Sequence, residues 1–176
     1  MSIPLALTAL LSTTPAYGLQ LHKEICTRMP HRSKTNVGQI YSTLDRLQRD
    51  GQIEVAGTTD DSLPLYRATA RGSDRAQSWL RGEQFEPSCD WTEFLDMAFL
   101  SATLSEDAYR GCSERVRATS RRAPMTLSER ASAHLVSAMT GVLDDIDESL
   151  RSGEVNVHPI DPTRPARGRR PRNSVE

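Results

Sequence analysis

Between Thr35 and Gly51 the sequence TNVGQIYSTLDRLQRDG carries a set of polar side chains suited to one kind of chemistry, the hydrogen bonding of nucleic acid. Amides can bond base edges in a bidentate manner, hydroxyls can bond bases or phosphates, and guanidinium groups can bond guanine or phosphate. Asn36, Gln39, Ser42 and Thr43 are candidates for base contacts, and Lys34, Arg46 and Arg49 for phosphate. Val37, Ile40, Tyr41, Leu44 and Leu47 recur at helical spacing, so the segment is predicted to be a helix with one apolar, core-facing side. Tyr41 sits on the border, its ring available to the core and its hydroxyl to the DNA backbone. Asn36 followed by Gln39 reads as a helix start, and Gly51 as its stop.

A second set of residues admits different chemistry. His22 and Cys26 fall four apart, on one face of a helix, and His31 follows closely. These are ligand types for zinc or copper, so a metal-responsive repressor is an alternative reading, although no CxxC pair or second dense cluster accompanies them. The three cysteines, Cys26, Cys89 and Cys112, are scattered, which points to reduced thiols in the cytoplasm rather than a disulfide framework. No nucleophile elbow, phosphate-cradling glycine loop or His-Glu metal motif is present, so neither catalysis nor a cofactor is expected.

The elements that must position the Thr35–Gly51 helix are legible on both sides. After Gly51 the period changes to two, in Gln52–Ala56 and again in Pro64–Thr69, with the turn-rich GTTDDSL between them; this predicts a hairpin. Before the helix come an apolar run, Ile3–Leu11, and an amphipathic segment, Tyr17–Met29, joined at Thr13-Thr14-Pro15. Three helices and a hairpin within about 70 residues follow the order of a winged helix-turn-helix domain. Arg67 is the best candidate for a wing contact to DNA. The wing tip, Thr58-Thr59-Asp60-Asp61-Ser62, is acidic and is expected to stay off phosphate.

Three motifs in this order resemble the PadR family of transcriptional regulators. Pro15-Ala16-Tyr17-Gly18 matches the join of the family's first two helices. Gly38, Tyr41, Leu44, Leu47 and Gly51 match its third helix, and Tyr66, Thr69 and Gly72 match the return of its wing. The resemblance covers residues 1 to about 82 and implies a regulator of transcription, most often a repressor, that binds operator DNA. It also implies release by a small, often aromatic, effector near the junction with the dimerisation helices. Trp79, Trp91, Phe94, Met97 and Phe99 are the residues able to line such an apolar site.

The rest of the chain is predicted to be helical, over Ala70–Leu80, Trp91–Leu104, about Ser105–Ser120 and about Thr126–Leu150. In the last of these, Leu135, Met139, Val142, Leu143, Ile146 and Leu150 form a stripe read as the dimer seam, with an intramolecular bundle as the alternative. The expected fold is mainly α with a small β-hairpin: a winged helix-turn-helix domain (residues 1–82), a linker (83–89), a helical dimerisation and effector domain (90–150), and a disordered Arg/Pro-rich tail (151–176). The Arg164–Arg172 run reads as either a phosphate-binding arm or an inert terminus. Charge follows these divisions. Residues 1–82 hold ten Lys and Arg against seven Asp and Glu, residues 83–150 six against thirteen, and residues 151–176 six against three. The acidic middle should be repelled by DNA and both ends attracted. Ile3–Leu11 lacks a basic flank and a cleavage site and is too short to span a bilayer, so a buried helix is expected, with no membrane partner. A cytoplasmic homodimer on double-stranded DNA is the expected assembly. A winged module serving mainly protein partners is the other class of reading.

Overall fold

The computed structural model describes residues 2–119 and 126–163. Its helices and strands in chain order are α1 (Ile3–Leu11), α2 (Gly18–Arg28), a 3-10 turn (Pro30–Arg32), α3 (Val37–Arg49), β1 (Ile53–Thr58), β2 (Pro64–Ala68), α4 (Ala70–Leu80), α5 (Trp91–Leu104), α6 (Glu106–Thr119) and α7 (Leu127–Ser152). Helix α1 is apolar all round, which suits a helix covered on every side. Ala6, Leu7, Ala9 and Leu10 have no exposed surface, and α2, α3, α4, α5 and β2 all pack on it.

Local chemistry sets the boundaries of α3. The Asn36 side chain accepts from the Gly38 N–H at 2.7 Å, so it caps the first turn. At the other end Gly51 adopts φ 66°, and Gln52 N–H reaches back to Leu47 O at 2.9 Å while Gly51 N–H bonds Gln48 O at 3.0 Å. That pair of bonds is a Schellman motif, which satisfies two terminal carbonyls and turns the chain sharply into β1.

The hairpin pairs Ile53 with Ala68 and Val55 with Tyr66, with a bulge between Val55 and Gly57. Ala16 joins it by a two-way bridge to Tyr66, with N–O distances of 3.0 and 2.9 Å, so the α1–α2 join is fixed to the wing. Thr69 then closes the wing: its hydroxyl donates to Gly51 O at 2.8 Å and accepts from Gly72 N–H at 3.1 Å, capping α4. A Cβ on Gly72 would lie 2.0 Å from Gln52 O, so only glycine lets α4 approach the root of the wing.

The buried residues form one continuous core from Ile3 to Ile160, shared by the winged region and the C-terminal helices. Phe85 and Cys89, in the segment read as a linker, also pack against it. Two expectations are corrected. The stripe on α7 is largely turned inward: Met139, Leu143 and Ile146 are buried within the single chain, against α5 and α6, and Leu135, Val142 and Leu150 pack against the same core at its edge. The intramolecular bundle therefore accounts for most of that stripe. Nor is the chain unstructured from residue 151 onward. Ser152 ends α7, and residues 153–163 return along α2, with Ile160 only 4% exposed. One apolar side chain and a set of buried polar partners, described below, suffice to hold this strap. The Arg164–Arg172 run and the Ala123-Pro124 break lie outside the described residues.

Gly72→Ala should cost about 2–3 kcal/mol, because the new methyl meets a backbone carbonyl that has no room to move. In a helix free of that clash the same change would stabilise by about 1 kcal/mol. Gly18→Ala meets only the far edge of the Tyr41 ring, which is 39% exposed and can swing aside, so its cost should be smaller. Urea midpoints of the two variants give the order, and a Gly72→Ala protein as stable as the parent would refute this account of the wing root.

Candidate nucleic-acid interface

Helix α3 turns Ile40, Leu44 and Leu47 into the core and leaves Gln39, Ser42, Asp45, Arg46 and Arg49 exposed. Gln39 and Arg46 are the long polar side chains on this face for which no internal partner is evident among the described residues. Ser42 donates to Gln39 O at 3.1 Å and Arg49 Nε to Asp45 O at 3.3 Å, both long, exposed bonds that an outside partner can replace. Lys34 and Asn36 are exposed just before the helix, the amide oxygen of Asn36 being engaged as the cap. Thr43 is corrected: it is 6% exposed and its hydroxyl donates to Gln39 O at 2.7 Å. It lies three residues after Ile40 and four before Leu47, on the core side of the helix. Arg46 also lines a shallow groove with Leu5 of α1 and Arg75 of α4, which puts beside it a second cation that no sequence pattern singles out.

Tyr41 is only partly covered. Its ring stacks over the backbone of Gly18, where a Cβ would sit 2.5 Å from Cε1, and it remains exposed on its outer side. On the wing, Arg67 stands opposite Glu54 and donates to it through Nε at 2.7 Å. Both side chains are about half exposed, so this pair is worth ~0–1 kcal/mol and an approaching phosphate can compete for the guanidinium.

The His22/Cys26 pair serves the turn of the helix-turn-helix. His22 Nε2 donates to Thr35 O at 2.7 Å, and the Cys26 thiol lies 3.7 Å from Arg32 O and 3.7 Å from His22 Nε2. Two carbonyls of the α2–α3 connection are thereby satisfied from α2. Burial raises the pKa of the Cys26 thiol, which disfavours the thiolate a metal would need. Among the described residues no three His, Cys, Asp or Glu side chains come together as an ion site. His31 is directed elsewhere, to Asp96.

Asp96 on α5 has no exposed surface and gathers four donors. His31 Nε2 lies 2.6 Å from Oδ1, Arg32 Nε 2.9 Å from Oδ1, Arg32 Nη2 2.6 Å from Oδ2, and the Ser2 hydroxyl also donates to Oδ2. The carboxylate in turn raises the pKa of the Arg32 guanidinium. The 3-10 turn that leads into α3 is thus fastened to the C-terminal helices by a buried charge. Sequence reading missed Asp96, because nothing local marks an acidic residue in an apolar segment as the partner of a turn 64 residues earlier.

The five residues expected to line an effector site do not assemble into one. Trp79, Phe94 and Met97 are buried around a void of only about 30 Å³, roughly the share of one water molecule. Trp91 is 38% exposed and packs on the Phe94 ring, while Phe99 faces His31 at 5.8 Å between ring centroids. A larger cavity, about 440 Å³, opens between α6, the end of α7 and the strap, lined among others by Tyr109, Arg110, Asp147, Leu150, Val155 and Val157. There the Tyr109 hydroxyl donates to Asp147 at 2.7 Å, and burial first, then this carboxylate, raises its pKa.

A helix-turn-helix whose second helix presents an open polar face, followed at once by a two-stranded wing, defines a winged helix-turn-helix protein. Residues 7–78 match the model of the transcriptional regulator PadR-like family. Among solved structures, the PadR of Bacillus subtilis, crystallised in complex with operator DNA, is similar at 17% identity, covering 85% of this chain and 96% of that one, with a TM-score of 0.41. No curated protein matches the chain. No helix among the described residues is long and apolar enough to cross a membrane.

Asp96→Ala should destabilise the protein by about 3 kcal/mol, the usual scale for breaking a buried ion pair. Urea unfolding checks it, and a loss under about 1 kcal/mol, the scale of an exposed pair, would mean that His31 and Arg32 need no partner on α5.

Proposed function

We infer that the chain is a cytoplasmic transcriptional regulator, a repressor, that binds a palindromic operator as a homodimer and responds to a small ligand. The observation that carries the reading is the open face of α3. On a helix packed tightly on its other side, Gln39 and Arg46 stand exposed with Ser42 and Arg49, next to Lys34 and Asn36. These residue types read base edges and phosphates when such a helix enters the major groove.

Two further features support the finer aspects of the reading. The first turns of α7 lie open, with residues 127–131 exposed and Leu127 at 75%, so the end of this 26-residue helix offers a second copy something to pack on. The cavity beside Tyr109 has the size of ordinary small-molecule sites and mixes apolar walls with a few polar groups. An aromatic effector fits that cavity better than the filled Trp79–Phe94–Met97 cluster. Its strap wall, Val155 and Val157, leads directly to α2, so occupancy there can bear on the DNA-binding region.

Binding to the protein's own promoter region and to an unrelated duplex, compared at about 150 mM salt, tests the core of the proposal. A preference near 10³ is expected for a sequence-reading regulator. Equal, weak binding to both would refute it. Gln39→Ala should lower operator affinity by roughly 10-fold or more, within the 1–3 kcal/mol of a good base contact. Unchanged affinity in both Gln39→Ala and Arg46→Ala would remove α3 from the interface. Leu127→Glu should shift the molecular mass measured by light scattering from dimer toward monomer.

A further inference from the structure

The cavity beside Tyr109 has apolar walls in Leu150, Val155 and Val157, and its polar side is acidic. Glu106 and Glu114 of α6 and Asp147 of α7 bring carboxylates to the lining, against one cation, Arg110. That cation is already matched. Arg110 Nη1 donates at 3.1 Å to Asp107, which is not part of the lining. Asp147 accepts from the Tyr109 hydroxyl at 2.7 Å and from Arg117 Nη2 at 3.0 Å, but the same nitrogen pairs with Asp144 at 2.7 Å. Arg151, the next cation along α7, is paired with Glu148. Glu106 and Glu114 are exposed and have no hydrogen-bond or ion-pair partner among the described residues. Arg110 lies midway between them on the same helix face and can neutralise only one of the three carboxylates within its reach. The lining therefore keeps a surplus of negative charge that the chain itself does not satisfy.

We propose that this cavity takes an organic cation, a primary amine carried on an aromatic body, and discriminates against a carboxylate of the same shape. This rests on the reading of the cavity as the effector site. An ammonium group has three donors and no acceptor, which is what unpaired carboxylates call for; a carboxylate ligand has acceptors alone and would meet like charge. Tyr109 points the same way. Its proton is committed to Asp147 and to Leu143 O, and burial raises its pKa, so its oxygen offers a ligand lone pairs rather than a proton. The C-terminal end of α7, with its partial negative charge, reaches the same wall through Leu150 and Gly153. The volume of about 440 Å³ accommodates a single ring with a short side chain, its body against the valines and its head toward α6.

Three probes that share one phenol ring test the proposal by calorimetry on the full chain: tyramine, the neutral alcohol tyrosol, and 4-hydroxyphenylacetate. Two variants accompany the parent, the double substitution Glu106→Gln with Glu114→Gln, and Val157→Trp, which narrows the cavity. All three positions are exposed, and circular dichroism checks that each variant is folded. Tyramine should bind the parent tightest, ahead of 4-hydroxyphenylacetate by about 10-fold or more, the scale of one charge beside two partly solvated carboxylates. That gap should fall to about 3-fold or less in the double Gln variant and narrow as salt is raised. Binding of every probe should weaken in Val157→Trp. If 4-hydroxyphenylacetate binds as tightly as tyramine and is lost in Val157→Trp, the cavity is a ligand site but the choice of a cation is overturned. A tyramine preference that survives unchanged in the double Gln variant overturns it too, because the selectivity then arises elsewhere. If no probe binds, or all bind Val157→Trp undiminished, the effector reading of this cavity fails first and the proposal with it.

Discussion

The constraint on which the assembly of this molecule turns is the buried guanidinium of Arg28. Its side chain has no exposed surface, and a cation so placed is tolerated only when nearly every N–H finds an acceptor. Nε donates to Glu24 at 2.6 Å, Nη1 to Thr103 O at 2.7 Å, and Nη2 to the carbonyls of His158 and Pro159. The acceptors come from three separate stretches: α2 itself, the end of α5, and the strap beyond α7. None of the three can move away without leaving a donor unpaired in the interior. Glu24 extends the same logic, since its other oxygen accepts from Asp161 N–H. The strap contributes few apolar contacts, and the backbone carbonyls it offers Arg28 are what give it a fixed place.

Asp96 has the complementary role, a turn further along the helix-turn-helix. Where Arg28 holds the end of α2, Asp96 holds the turn that follows, through His31 and Arg32. Both attachments end on α5, at Asp96 in its first half and Thr103 in its last turn. The angle between α2 and α3 and the position of α5 are therefore not independent. A shift of α5 along its axis would have to break charge-assisted bonds at both ends of the connection. Two discrete attachments thus flank the turn and tie it to α5.

How much of this was legible in the sequence depends on range. Two positions of the Tyr66-x-x-Thr69-x-x-Gly72 pattern have a direct explanation: Thr69 caps α4 and Gly72 makes room for Gln52 O, while the Tyr66 side chain is part of the core. Periodicity placed α1, α4 and α5 at their observed limits, and a capping residue such as Asp90 before α5 and a glycine such as Gly82 after α4 stand where those helices begin or stop. Faces were less secure. Thr43 looked like a base reader because its type is polar, yet its position is a core position. Met139, Leu143 and Ile146 form a clean stripe, but a stripe does not say whether its cover is another chain or α5 and α6 of the same one. The long-range polar contacts were not legible at all. Arg28 is one arginine among twenty, and nothing near it in sequence distinguishes a buried one.

Charge also distinguishes the end of α7 from the strap that follows it. Residues 83–150 carry thirteen acidic groups against six basic ones, and several stand on α7 near its end: Asp144, Asp145, Asp147 and Glu148. Arg117 on α6 meets two of them, Asp144 and Asp147, at 2.7 and 3.0 Å. Such pairing inside one molecule competes with any outside phosphate. By crossing the end of α5 and running along α2, residues 153–163 take the chain away from these carboxylates, held there by Arg28 and Glu24.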